Sequence, residues 1–377
     1  MQLAHTPMKL TDDSHLSNPL AAREAALVAA FRERSHPTVA ERLHLAKRAH
    51  TTRRVAFGAD VRLLSDVAPR SGDLVLARVD ALGQHDKLQD PSGRRVSLFV
   101  GDEIVVAYGH RYAPSQFEAL VPEDLGPCHL AAGGGIAARV VAANTRMSEP
   151  TALTPLGLLA DARGERLNLA GAALAPRALP AQRPPVFALL GASMDSGKTT
   201  AAAALIRGLS RLGLRVGAAK VTGTGASGDP FLFRDSGARE VLDFVDAGCA
   251  TTYLAPHEQI EAISATLIAH LCEAGSDVIV VEVADGLLQR ETRALLEASF
   301  SHRAFDGVLF AAADALGAAQ GVRWLRERGH NVLAATGLMT ASPLARREAE
   351  EVCDAAVRGV EQLESPLVAA ELRSRVR

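Results

Sequence analysis

Hydrophobic and polar positions follow two rhythms along this 377-residue chain, and the rhythm changes at a proline-rich stretch. Residues 1–18 are polar and without period. From Pro19 to about His50, apolar positions recur at helical spacing (Leu20, Leu27, Val28, Phe31, then Val39, Leu43, Leu45), and Pro37 separates two predicted helices. Their many Arg and His residues read as solvated faces. From Gly72 the pattern is that of short strands: Asp73–Val79, Arg95–Val100, Glu103–Ala107 and Ala138–Ala142, with turn residues such as Asp90-Pro91-Ser92-Gly93 between them. A predicted hairpin follows, with arms Leu156–Ala160 and Arg166–Leu169 around Asp161-Ala162-Arg163-Gly164. A small antiparallel sheet or barrel fits this half. His110-Arg111-Tyr112 sits in a predicted loop whose mixed polar and aromatic groups could meet a substrate, but the ordinary-connector reading is preferred. Gly133-Gly134-Gly135 reads as a flexible turn, and no chemistry is assigned to either stretch.

Ala173 to Pro185 carries Pro176, Pro180, Pro184 and Pro185 and reads as a stiff linker. Beyond it, strands alternate with helices. The predicted strands are Val186–Leu190, Leu214–Lys220, Thr251–Leu254, Asp277–Val283, Gly307–Ala311 and Asn331–Ala335. The predicted helices cover Thr200–Leu212, Asp235–Ala247, Ile260–Ala274, Leu287–Phe300 and Leu316–Arg328. Repeated β–α units mean an α/β fold with a mostly parallel, doubly wound sheet, whose ligands bind at the carboxyl ends of the strands. The predicted organisation is a helical and polar leader (1–55), a smaller β-rich (α+β) domain (56–172), the linker (173–184) and the α/β domain (185–377).

The first strand of the second half runs into the most informative stretch, Val186 to Thr200, VFALLGASMDSGKTT. An apolar strand, a Gly/Ser turn ending in Gly197-Lys198-Thr199, and an Ala-rich helix form a strand–phosphate loop–helix (P-loop) unit. Backbone N–H groups of the loop and helix N-terminus favour an anion. The candidate nucleotide-binding residues are therefore Ser193, Met194, Asp195, Ser196, Gly197, Lys198, Thr199 and Thr200, with Lys198 on the β/γ phosphates and Thr199 on Mg²⁺. The motif is relaxed: Ala192 stands where the strict pattern has its first Gly, with Gly191 one step earlier.

Composition narrows the class. The net charge of −2 and 4% aromatic content argue against a nucleic-acid binder. Cys128, Cys249, Cys272 and Cys353 are far apart, as in a reduced protein without a zinc site. No signal-peptide core or apolar run of membrane-spanning length occurs, so a cytoplasmic location is expected. The basic residues are nearly all Arg, and the lysines are Lys9, Lys47, Lys87, Lys198 and Lys220. Lys198 and Lys220 stand out as places that need a compact ammonium.

Further candidates follow the predicted strands. Lys220 closes the second strand on the same rim as the loop and is, with Lys198, a candidate catalytic group. Asp235, read near a helix start, is either an N-cap or an oxygen ligand of Mg²⁺, with Asp229 a lesser candidate. Glu282 ends a buried strand, where a carboxylate needs a metal or a hydrogen-bond partner, and Asp285 follows as metal candidate or cap. The candidate metal set is Thr199, Asp235 and Glu282.

Ala192 to Thr199, Lys220-Val221-Thr222-Gly223, the Asp235 segment and Val281 to Leu287 together resemble dethiobiotin synthetase. Gly217 to Lys220 and Phe233 to Ala238 are also similar to the GTP-binding adaptor of molybdopterin-guanine dinucleotide synthesis. The resemblance covers about Pro185 to Ser342 only. It implies one nucleotide–Mg²⁺ site, with phosphates on Lys198 and Lys220 and the metal on Thr199, Asp235 and Glu282. It departs from the former family at Val283-Ala284-Asp285-Gly286, where that family has Gly-Ala-Gly-Gly, and at Val221, where it has Pro. The expected function is an ATP- (or GTP-) and Mg²⁺-dependent ligase-like or phosphoryl-transfer enzyme acting on a small molecule. The alternative is a regulatory or adaptor NTPase acting on a protein partner, and a binding module with a relic site is a third reading. The partners expected are a nucleotide and a small-molecule substrate, without nucleic acid or membrane, and a homodimer is held open as the assembly.

Overall fold

The computed structural model describes residues 38–376 and, ahead of them, Arg23. Apart from Arg23, the first predicted helix, before Pro37, lies outside the described residues. The second is α1 (Val39–Leu45), opened by a capping box in which Thr38 and Glu41 satisfy each other's backbone N–H groups.

The first half is a β structure built on alternation. Its strands are β1 (Lys47–Arg48), β2 (Arg62–Leu64), β3 (Leu74–Ala81), β4 (Lys87–Gln89), β5 (Arg95–Ser97), β6 (Glu103–Tyr108), β7 (Arg111–Tyr112), β8 (Phe117–Leu120), β9 (Cys128–Ala132), β10 (Ile136–Ala143) and β11 (Thr151–Ala160). Pairings β6–β3–β11–β9–β10 are antiparallel, and a parallel β10–β6 pairing closes the five strands into a ring. Closure leaves no edge among these strands. β7 and β8 form a hairpin on β10, and β4–β5 a separate hairpin. The expected connector at 110–112 is therefore partly strand: Arg111 pairs with Ala119.

The second half is a seven-stranded, all-parallel sheet of order β14–β13–β15–β12–β16–β17–β18, comprising β12 (Val186–Gly191), β13 (Val216–Lys220), β14 (Glu240–Asp243), β15 (Val278–Glu282), β16 (Gly307–Ala311), β17 (Val332–Thr336) and β18 (Ala356–Val357). β12, β15, β16 and β17 are buried throughout, as strands covered on both faces must be. After β12 comes α2 (Lys198–Arg211), whose Ala201 to Ala204 are all buried; their small side chains bring the helix close to the sheet.

Three expectations are corrected here. The helix predicted from Asp235 is instead α3 (Gly228–Asp235), so Asp235 ends it. Pro230, with its fixed φ, suits the first turn, and Gly237 (φ +106) terminates the helix, with Ala238 N–H donating to Phe233 O at 3.1 Å. The chain then enters β14 where helix was expected, and residues 251–254 form only an isolated bridge from Thr251 to Thr224. The single helix expected over 287–300 is split at extended Ala298 into α5 and α6, and the preceding helix is α4: α4 is His257–Glu273, α5 Arg290–Glu297 and α6 Ser299–Ala304.

The two halves share one core that includes Leu76, Ile136, Val186 and Phe244. Arg53, just after β1, reaches Asp243 Oδ1 at 2.7 Å and Asp246 Oδ2 at 2.8 Å on the far side of the junction. Gly134 is required there: a Cβ would lie 1.9 Å from Gly225 O. Residues 173–185 are pinned along the second half, with Leu174 N–H donating to Asp246 O and Arg183 paired with Asp306.

His50 is buried at the same junction, where Arg53 Nη1 donates to its Nε2 across 3.2 Å. Burial, reinforced by the Arg53 charge, pushes its pKa down to about 4. Since the folded value lies below the unfolded one, its stabilising effect is complete above pH 6.5 and is lost as pH falls toward 4. Urea melts should show the protein losing up to roughly 3 kcal/mol through this window from His50 alone. His50→Gln should flatten that slope; an unchanged slope contradicts the assignment.

Candidate functional site

The site begins where β12 ends. A Cβ on Gly191 would fall 2.4 Å from Ser196 Oγ and 2.8 Å from Lys198 Cδ, so the close approach is needed there. Ala192 is accommodated one step on, its N–H donating to Ala311 O at 2.9 Å. The loop turns through Asp195 (φ +60) and Gly197 (φ +97) and enters α2 without a side-chain cap. Among the described residues, no acceptor takes the backbone N–H groups of residues 195–200. Such a run of free donors at a helix N-terminus is a receptor for phosphate. The loop is braced by the segment after β17: Leu338 N–H donates to Ser196 O at 3.1 Å, and a Cβ on Gly337 would lie 2.4 Å from that oxygen.

Ser193, Asp195 and Thr200 are exposed on the loop and first turn, whereas Ser196 and Lys198 are buried. Lys198 folds back so that Nζ donates to Ser193 O at 2.7 Å, a contact a phosphate oxygen can replace. Burial lowers its pKa, with the Glu282 and Asp285 carboxylates opposing that shift. Lys220 ends β13 in register with Glu282 at the end of β15, and Glu282 is also in register with Leu189 of β12. The Lys220 ammonium pairs with Asp229 and stands 3.5 Å from Glu282 Oε1. Burial works to lower the Lys220 pKa, but Glu282 and Asp229 outweigh it and hold the ammonium above its ordinary value.

Glu282 is 1% exposed, and its Oε2 has no hydrogen-bond partner. Burial raises its pKa, since Lys220 opposes that shift only in part while shared with Asp229. Burial likewise raises the pKa of the half-buried Asp285.

The structure thus brings Lys198, Lys220 and Glu282 to one rim, beside the α2 first turn that carries Thr199. It does not bring Asp235 there: Asp235 is exposed at the C-terminal end of α3, about 9 Å along the axis from Asp229. Asp229, in the first turn, is the carboxylate that meets Lys220. Its signal was the Asp229-Pro230 dipeptide, which suits a helix start.

A cavity of about 530 Å³ opens from this rim toward the barrel. Lys220, Asp229 and Asp285 line one side, and His85, Lys87 and Arg111 the other. A second cavity of about 400 Å³ lies over the loop at Ser193 and Asp195, and both share Tyr112, Met194 and Asp285. A larger cavity, about 880 Å³, lies along the 177–183 segment beside Asp306, at the opposite end of the parallel strands. Sequence reasoning missed His85 and Lys87 and set Arg111 aside as part of a connector, because a two-residue strand and a hairpin carry no readable period.

No protein-family model and no curated protein matches the chain. Among solved structures, the chain is similar to chloroplast FtsY from Physcomitrella patens (18% identity, TM-score 0.35, 55% of this chain and 70% of that one). It is also similar to the signal recognition particle 54 kDa protein from Aeropyrum pernix K1 in complex with GDP (18% identity, TM-score 0.36, 55% of this chain and 51% of that one). At those TM-scores neither likeness bears on function.

If Asp229 is the carboxylate that shapes the cation site, Asp229→Asn should weaken Mg²⁺–nucleotide binding about 10–100-fold. Asp235→Asn should leave it within about twofold, as for an exposed residue away from such features. Calorimetric titration of both variants decides between them; the reverse pattern restores Asp235.

Proposed function

We propose that this protein is a Mg²⁺- and nucleotide-dependent P-loop NTPase whose phosphate chemistry serves a small molecule, in a ligase-like or phosphoryl-transfer reaction. The observation that carries this reading is the shared wall of two cavities. The one over the phosphate loop suits a nucleotide tail, and its neighbour suits a second reactant enclosed by the barrel. Lys198 and the free N–H groups would hold the β/γ phosphates, and Lys220 would meet charge that develops on a transferring group. Both ATP and GTP fit what the loop offers.

The residues present suit Mg²⁺. Glu282 Oε2 is buried and short of a partner, and the Thr199 hydroxyl lies in the first helical turn. Among the described residues, no group of three or more His, Cys, Asp or Glu could hold a metal by itself. That agrees with an ion that takes only one or two protein carboxylates and otherwise phosphates and water. Thr199 and Glu282 would hold it, with Asp229 in the place expected of Asp235; when bound, the ion would neutralise phosphate charge. The set resembles the dethiobiotin synthetase-like pattern with that one exchange.

The alternative, a regulatory or adaptor NTPase, is favoured by a different observation. Leu288, Leu316, Leu338 and Leu344 follow strand ends or open helices on the nucleotide rim and are all more than half exposed. Such residues suit a protein partner. Among the described residues, no helix is long and apolar enough to cross a membrane.

Thermal-shift measurements with Mg²⁺-ATP and Mg²⁺-GTP test the shared premise. A hundredfold excess over Kd adds about 2.7 kcal/mol and raises Tm by several degrees. Lys198→Ala should abolish the shift. If neither nucleotide moves the wild-type Tm, the NTPase reading fails. Hydrolysis that needs an added protein would favour the alternative.

A further inference from the structure

Arg111 is 6% exposed and lines the cavity between the barrel and the phosphate loop. Its surroundings do not account for its charge. Nη2 donates to Gln116 Oε1 at 2.7 Å and Nη1 lies 3.0 Å from His85 Nε2, both on neutral side chains. Nε has no acceptor at all. Among the described residues, no carboxylate hydrogen-bonds this guanidinium. Asp285, across the cavity, is the carboxylate whose field it feels.

An Arg buried without a counter-ion is expensive, and one that served packing alone could be replaced by an apolar residue. Here the fork is also held in place. Gln116 sits in the turn of the β7–β8 hairpin, whose Ser115 hydroxyl donates to Met194 Sδ of the phosphate loop at 3.4 Å. The same hairpin is tied to the second half by Tyr253 OH, which donates to Glu118 Oε1 at 2.8 Å. A planar, always-charged fork held across from a phosphate site suits a carboxylate or phosphate group.

We propose that Arg111 anchors an oxyanion, a carboxylate or phosphate carried by the second reactant, across the cavity from the phosphate loop. This deepens the proposed function, on which it rests for the identity of the anion's owner. His85 and Gln116 position the fork, and Lys87 adds positive charge to the same wall. The substrate class is then an anionic small molecule whose acidic end faces Arg111 and whose reacting end faces Lys220. The cavity of about 530 Å³ sets its size.

The test uses malonate and inorganic phosphate as probes, with calorimetric titration. Lys198→Ala weakens the phosphate loop and leaves the Arg111 subsite to be read. In that background a probe should bind, and adding Arg111→Gln should weaken it about tenfold or more. Arg111→Lys should lose less. In otherwise wild-type protein, Arg111→Gln should leave binding of Mg²⁺–adenylyl or –guanylyl imidodiphosphate within about twofold. Probe binding indifferent to Arg111 overturns the proposal. So does Arg111→Gln weakening the nucleotide analogue instead, which would make the guanidinium a ligand of the nucleotide's own phosphates. If neither analogue binds the wild type, the NTPase reading fails, while the Lys198→Ala pair still reads the subsite. Should Arg111→Gln not fold, hydrogen exchange on wild-type protein decides. Malonate must slow exchange in residues 84–89 and 111–120, and its failure to do so overturns the proposal.

Discussion

One ammonium shared by two carboxylates is the constraint on which the site depends. Lys220 holds Asp229 from α3 and faces Glu282 from the neighbouring strand. Without Lys220, Glu282 would have only the Lys198 charge against its burial, and leaving a buried carboxylate short of its partner is costly. With it, Glu282 still keeps an oxygen without a partner. A buried group in that state is well placed to receive a cation, and the free N–H groups at the start of α2 are suited to an anion. Opposite electrostatic demands thus meet at one rim, as a metal–phosphate pair would require.

The barrel gives this rim its other wall. Gly134 against Gly225, Arg53 against Asp243 and Asp246, and Ser227 N–H donating to Gln89 Oε1 at 2.8 Å fix the two halves to each other. Asp243 is nearly fully buried, so this is a contact within the core and not a loose docking. The cavity walls are therefore set by packing, and the position of Arg111 opposite Lys220 is part of the fold.

The elements that local pattern determines were legible in the sequence. An apolar run into a Gly/Ser turn and an Ala-rich helix is a local signal, and β12, the loop and α2 follow from it. Lys220 and Glu282 were legible because both end buried strands, and lysine is otherwise scarce. Asp235 misled because its neighbourhood resembles a family motif, while the local stop at Gly237 and start at Pro230 move the helix seven residues earlier. Arg111 was hidden for another reason: its significance comes from what is missing around it in three dimensions. The small helices after β18 were equally silent. Val360–Leu363 owes its packing to Gly208 of α2, where a Cβ would lie 2.3 Å from Leu363 O.

The most direct measurement is a crystal structure with Mn²⁺ and a non-hydrolysable nucleotide, the metal being located by its anomalous signal. The proposed site predicts phosphates over the N–H groups of residues 195–200 and beside Lys198. It predicts the metal on the Thr199 hydroxyl and on Glu282, directly or through one water. A nucleotide bound away from this loop, or a metal seated at Asp235, would contradict it.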